Sequence, residues 1–189
     1  MLSEPYDAAS TVLVGEGVDA SKATLDQLLG AVEKIDKANQ EGQFRRFTGN
    51  DYTTDLAKGN VSVSMAYSGD VVALQSDNPD LRFAYPEEGN VIFTDELMMP
   101  AGVQNPYAAE TMMNHLYEPE VAATLAAYIN YISPVKGEQE VLMERDPDIA
   151  ENELIFPPAE VQERFQSYPT LEPADEREMQ EAMAGVTGA

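Results

Sequence analysis

Two short stretches of this chain place an acid close behind an aromatic ring. Tyr67 and Asp70 bracket a Ser68-Gly69 turn, and Phe93 and Asp95 stand two residues apart. Side chains two apart on an extended strand share a face, so Phe93 and Asp95 would point the same way. Asp95 is flanked by Phe93, Thr94 and Leu97, a setting that disfavours a carboxylate unless a cation pairs with it. The chain's few Lys and Arg are remote from these acids in sequence, so an external cation is one answer. A carboxylate gives charge-assisted hydrogen bonds to an ammonium group. A ring face attracts the same group by cation–π contact, worth about 0.5–2 kcal/mol. In the plainer alternative Asp70 caps the helix that follows and Asp95 is exposed at a sheet edge.

Other chemistries find less support. There is no phosphate-binding loop, dinucleotide fingerprint, HExxH or GxSxG pattern. A Ser-His-Asp triad would have to use His115, the single histidine, which sits in a helical stretch and reads more plainly as a surface or core-edge residue. The absence of Cys excludes disulfides, thiolate metal sites and a Cys nucleophile, and one His excludes multi-His metal sites. No cofactor and no resident metal are expected. The chain is expected to bind rather than to catalyse. Met98-Met99 and Met112-Met113 read as core.

Charge narrows the partners. The 189 residues carry 34 acidic and 11 basic side chains, for a net charge of −23. Such a surface repels nucleic-acid phosphates and anionic lipid. It suits cationic ligands or a high-salt habitat. At 43% hydrophobic the chain has enough apolar content for one large domain or two small ones. No apolar run approaches the roughly 20 residues that span a bilayer. An acid and a proline stand in Met1-Leu2-Ser3-Glu4-Pro5 where a secretion signal would begin. The expectation is therefore either a cytoplasmic protein or a piece of a longer chain.

The elements that would position these residues alternate in type, so the expected class is α/β. Pro5 opens a helix with Tyr6, Ala9, Leu13 and Val14 inward. Thr24-Leu25-Asp26-Gln27 is a capping box that starts a helix carrying Leu25, Leu28, Leu29, Val32 and Ile35. A short helix is predicted over 51–58, then strands over 61–67, 81–85 and 91–99. Asn105-Pro106 caps a helix with Ala109, Met112, Met113 and Leu116 inward. Glu118-Pro119-Glu120 starts another carrying Val121, Leu125, Tyr128 and Ile129. Residues 138–153 are acidic and partly helical. Pro157-Pro158 opens a helix with Val161 and Phe165, and a last helix is predicted over 174–183. The many acids of residues 138–181 read as a solvated face without function.

The stretch Gly59 to Val71, with its small-residue strand followed by Tyr67-Ser68-Gly69-Asp70, resembles an element of the extracytoplasmic polyamine-binding proteins, the spermidine/putrescine receptors of ABC importers. Pro86-Glu87-Glu88-Gly89, Phe93-Thr94-Asp95 to Pro100, Asn105-Pro106, Leu116 to Ala122, Tyr131-Ile132-Ser133-Pro134 and Ile155-Phe156-Pro157-Pro158 follow in that family's order, so the likeness covers nearly the whole chain. It implies a type II periplasmic binding protein fold, two α/β lobes that trap ligand in a cleft by hinge closure. It implies that Tyr67, Phe93 and Tyr131 are cleft aromatics, and that Asp70 and Asp95 are acids that bind amines. Glu4 and Asp7 would be a pair of acids for the other amine.

The family's first portion would be absent. Residues 1–92 would then be most of lobe two, 93–145 the hinge crossover and returning piece of lobe one, and 146–189 the return to lobe two. The implied partners are a polyamine, the permease subunits of an ABC transporter and the missing N-terminal lobe, with no nucleic acid. The implied location is periplasmic or extracytoplasmic, with room for a lipoprotein anchor in the full-length parent. The chain departs from the family in having no Trp, which weakens its cation–π partners. Rival readings keep the fold but bind ferric iron through Tyr67 and Tyr131, or thiamine. A further rival is a two-carboxylate hydrolase using Asp70 and Asp95, and the blandest is an acidic domain that binds nothing small.

Overall fold

The computed structural model describes residues 1–188. The elements run in the order α1 (Pro5–Gly15), a 3₁₀ turn (Ala20–Lys22), α2 (Leu25–Gln40), α3 (Tyr52–Ala57), α4 (Ser68–Gln75), β1 (Asn90–Val91), α5 (Pro106–His115), α6 (Pro119–Ile129), α7 (Glu138–Arg145), α8 (Pro147–Ala150), α9 (Ala159–Gln162), β2 (Phe165–Gln166) and α10 (Pro173–Thr187). They form two compact units. Unit 1 comprises residues 1–66, 84–93 and 160–189, and unit 2 comprises residues 67–83 and 94–159. Residues 67–83 and 146–159 therefore fall in unit 2, whereas the sequence division grouped the first with residues 1–92 and the second with the tail.

Unit 1 is built on α1, α2 and α10. In α2, Leu28, Ala31, Val32 and Ile35 recur at helical spacing and all are buried. The capping box forms as expected, Thr24 accepting from the Gln27 amide and the Gln27 side chain accepting from the Thr24 amide at 2.9 Å. These side chains meet Ala8, Ala9 and Leu13 of α1 and Met179 and Met183 of α10 in one core. Each fully buried Leu, Ile or Met stabilises the unit by about 1.5–3 kcal/mol. A bridge between Leu2 and Thr48 anchors the chain entering α1, with the Ser3 amide donating to the Thr48 carbonyl at 2.9 Å.

The sheet is smaller than the sequence predicts. Among the described residues the one sheet is β1 paired with β2, in parallel, with Asn90 opposite Phe165 and Val91 opposite Gln166. The stretches 61–67 and 81–85, and the run from Phe93 to Met99, carry no regular secondary structure and join no ladder among the described residues. Period-two alternation selects an extended backbone, whereas a strand also needs a neighbour for its N–H and C=O groups. No neighbour pairs with these stretches among the described residues. Phe165 lies in β2 and not in a helix with Val161. Gly89 makes the β1–β2 approach feasible. Its φ is +125°, and a Cβ there would stand 2.7 Å from the Arg164 carbonyl oxygen.

Unit 2 packs α6 against α7 and α8 around Ala123, Ala126, Leu142 and Ala150. The buried face of α6 is made by alanines and not by its large apolar residues. Ala122, Ala123 and Ala126 are buried, while Leu125, Tyr128 and Ile129 are exposed and Val121 is half-buried. Small residues let α7 come close. Because α6 is apolar around much of its circumference, periodicity alone does not choose the face. No residue of α5 is buried, and its Met112 is exposed, contrary to the predicted inward stripe. Met98 and Met99 are exposed as well.

Candidate functional site

The predicted site residues divide between the units: Glu4, Asp7 and Phe93 belong to unit 1, and Tyr67, Asp70, Asp95 and Tyr131 to unit 2. Tyr67 and Phe93 stand at places where the chain passes from one unit to the other.

In unit 1 the register of the small sheet brings the residues together. Val91 pairs with Gln166, and the Ile92 amide donates to the Gln166 carbonyl at 2.9 Å. Continuing two residues along both strands places Phe93 beside Tyr168 on the same face. Their rings stack with centroids 5.7 Å apart and planes 8° from parallel. The Tyr6 ring lies 5.2 Å from that of Tyr168, tilted by 32°. The Tyr168 hydroxyl donates to the Asp7 carboxylate. Asp7 is buried in the first turn of α1, where the helix dipole favours a negative group. Glu4, one turn earlier, is exposed, and partial desolvation followed by the Asp7 charge pushes its carboxyl up. Neither Tyr6 nor Tyr168 was singled out as a site residue from sequence. Tyr168 lies in the acidic tail of residues 138–181, to which the sequence reading assigns no function. Its one local signal is an aromatic two residues beyond a strand, ahead of Pro169.

Unit 2 repeats the motif with different parts. Tyr67 is the residue before α4, and Asp70 lies in that helix's first turn. The Tyr131 hydroxyl donates to Asp70 Oδ1 at 2.9 Å. Tyr131 reaches it from just beyond the left-handed residue Asn130 (φ 62°), which ends α6. Gly69 is packed flat against the Tyr131 ring: a Cβ there would lie 2.4 Å from Cε2. Burial, with the Asp70 hydrogen bond and charge and then the Asp95 charge, drives the Tyr131 phenol far above its ordinary range. Asp95 is exposed and lies in a segment without regular secondary structure, not in a buried apolar strand. The N-cap position of α4 is Tyr67, and Asp70 lies inside the helix's first turn. His115 is exposed at the end of α5, with Nδ1 3.1 Å from Glu118 Oε1.

The two sets have one grammar: a carboxylate in the first turn of a helix, held by the hydroxyl of a tyrosine remote in sequence and flanked by further rings or acids. Such a group presents negative charge of fixed direction beside apolar ring surface. That suits a ligand with a cationic hydrogen-bond donor on an alkyl chain. No cluster of His, Asp and Glu suited to a metal occurs among the described residues. No helix there is long and apolar enough to cross a membrane.

The fold is that of a partial type II periplasmic binding protein. It superposes on a protein of spermidine/putrescine ABC transport from Listeria monocytogenes with a TM-score of 0.83 at 20% identity, covering 98% of this chain and 56% of that one. A spermidine/putrescine ABC transporter substrate-binding protein from Streptococcus pneumoniae gives 0.78 at 19% identity, covering 99% and 56%. The family model for bacterial extracellular solute-binding proteins matches residues 2–157, and the chain belongs to that family, whose members are binding components and not enzymes. In sequence it is 27% identical over 182 residues to the putrescine-binding periplasmic protein of Escherichia coli, covering 93% of this chain and 48% of that protein. It is 27% identical over 103 residues to the spermidine/putrescine-binding periplasmic protein of Salmonella typhimurium, covering 54% and 29%. The chain thus spans about half the length, or less, of these relatives.

Proposed function

We propose that the protein carrying this chain captures a polyamine such as putrescine or spermidine outside the cytoplasm and delivers it to the permease of an ABC importer. The observation that carries this reading is the pair of tyrosine-held carboxylates, Asp70 with Tyr131 and Asp7 with Tyr168. A linear polyamine has ammonium groups separated by methylenes. Its charged ends match carboxylates, and its methylenes match rings, at about 25 cal/mol per Å² of apolar area removed from water. Each set by itself offers a place for an ammonium group: Tyr67, Asp70, Asp95 and Tyr131 in unit 2, and Glu4, Asp7 and Phe93 in unit 1. The names of the relatives support this choice of ligand over ferric iron or thiamine.

In this reading unit 1 belongs to the second lobe, and most of unit 2 is the returning part of the first. The rest of the first lobe would come from sequence outside this chain. The exposed apolar residues of α5 and α6, among them Met112, Leu125 and Tyr128, are the kind of surface it would cover. A lipid anchor on the full-length protein would keep it at the membrane beside its permease.

Calorimetry on the full-length protein tests the proposal. Putrescine or spermidine should bind, and Asp95→Asn should weaken binding about tenfold, the effect of losing one charged partner. A wild-type protein that binds neither amine, or an Asp95→Asn protein of unchanged affinity, would refute it.

A further inference from the structure

We infer that Tyr168 is the positioning residue of the unit 1 half-site, acting on the ligand's ammonium through Asp7. The inference rests on the polyamine reading and adds to it a residue in a segment that carries no other part of the site. Three observations meet at this side chain. Its hydroxyl donates to Asp7 Oδ1 across 161 positions of sequence. Its ring stacks on Phe93 and packs against Tyr6. Its place in the fold is set by the β1–β2 register, through Val91 opposite Gln166.

The consequence is mechanical. Asp7 is 5% exposed, so its carboxylate relies on protein donors to hold its direction. Two neighbouring rings restrict the Tyr168 ring, and the ring in turn restricts the hydroxyl. A hydroxyl fixed in this way holds the direction of the carboxylate that would meet an incoming cation. The same ring ladder shows how a chain without Trp assembles an aromatic surface, from Tyr6, Tyr168 and Phe93. Phe93 keeps 42% of its surface exposed for the ligand.

The test is a double-mutant cycle on the full-length protein, read by calorimetry with putrescine as the probe. Tyr168→Phe keeps the ring and removes the hydroxyl, and should raise the Kd about tenfold, the effect of one hydrogen bond to a charged group. In an Asp7→Asn background the same change should alter Kd less than twofold, because the residue through which it acts is gone. A merely structural Tyr168 would give the same loss in both backgrounds, and that additivity would overturn the inference. So would a Tyr168→Phe protein with wild-type or tighter affinity. Thermal unfolding shows that each variant is folded. If Tyr168→Phe fails to fold, Tyr168→His retains a ring and a donor and should bind more tightly than Tyr168→Leu; equal affinities would overturn the inference. A wild-type protein that binds no putrescine or spermidine refutes the polyamine reading itself, and the inference falls with it.

Discussion

Replacing Gly69 by Ala separates two opposite expectations. Gly69 is the second residue of α4 and has an ordinary helical backbone. By helix propensity alone, Gly69→Ala should stabilise by as much as about 1 kcal/mol. The structure demands the reverse. The new methyl would stand 2.4, 2.5 and 2.7 Å from Cε2, Cδ2 and Cζ of Tyr131, all too close for non-bonded carbon. The ring must retreat by roughly 1 Å to restore van der Waals contact, and its hydroxyl now donates to Asp70 at 2.9 Å. That retreat takes the bond out of range and costs the half-buried phenol its acceptor. Overpacking costs about 1–3 kcal/mol and the lost bond about 1 kcal/mol more, against the propensity gain. The net expectation is a loss of about 1–3 kcal/mol, or a melting temperature lower by roughly 2–10 °C for a chain of this size. Circular dichroism melts provide the measurement, with a spectrophotometric titration of the phenols to follow Tyr131 back toward its ordinary range. A Gly69→Ala protein as stable as wild type, or more stable, would refute the packing of Gly69 on Tyr131.

Two further predictions use other parts of the structure. Gly89→Ala meets backbone, not a movable side chain, at 2.7 Å and imposes a Cβ on a φ of +125°. It should cost more than about 2 kcal/mol and, by disturbing the β1–β2 register, should weaken putrescine binding as well; a wild-type melt would contradict this. Glu138 is buried with neither carboxyl oxygen hydrogen-bonded, and burial raises its carboxyl above the usual range, opposed in part by the nearby Ser133 hydroxyl. A raised folded-state value means that the native state binds this proton more tightly than the unfolded chain. The site therefore costs stability progressively as pH rises from the unfolded value through the folded one. Glu138→Gln should then raise the melting temperature at pH 7 and leave it nearly unchanged at pH 3.5, and an equal effect at both would refute the assignment.

Local signals in the sequence were sufficient where one segment decides its own structure. The Thr24–Gln27 capping box, Pro5, Asn105-Pro106 and Pro119 each place a helix start that the structure contains. Features that depend on remote partners were not legible. The alternation over 61–67 marks an extended chain, yet no pairing strand adjoins it among the described residues. In α6 large apolar residues occupy the outer face while alanines face the core, an arrangement set by how closely α7 approaches. Asp70 stands out by its spacing from Tyr67 and Tyr131 by the family resemblance, but the hydrogen bond joining them spans 61 positions. Tyr168 was hidden for a related reason. What links it to Phe93 is the register of two strands more than seventy residues apart, and what links it to Asp7 is the packing of α1.

The most direct test of the account compares putrescine with butylamine, the same four-carbon chain bearing one ammonium, on the full-length protein by calorimetry. Carboxylates that recognise ammonium groups predict that butylamine, with one such group in place of two, binds at least about 30-fold more weakly than putrescine, the loss expected when a charged hydrogen-bonding end is removed. Equal affinity for the two amines would contradict it, because a single anionic group and an apolar groove would then account for all the binding.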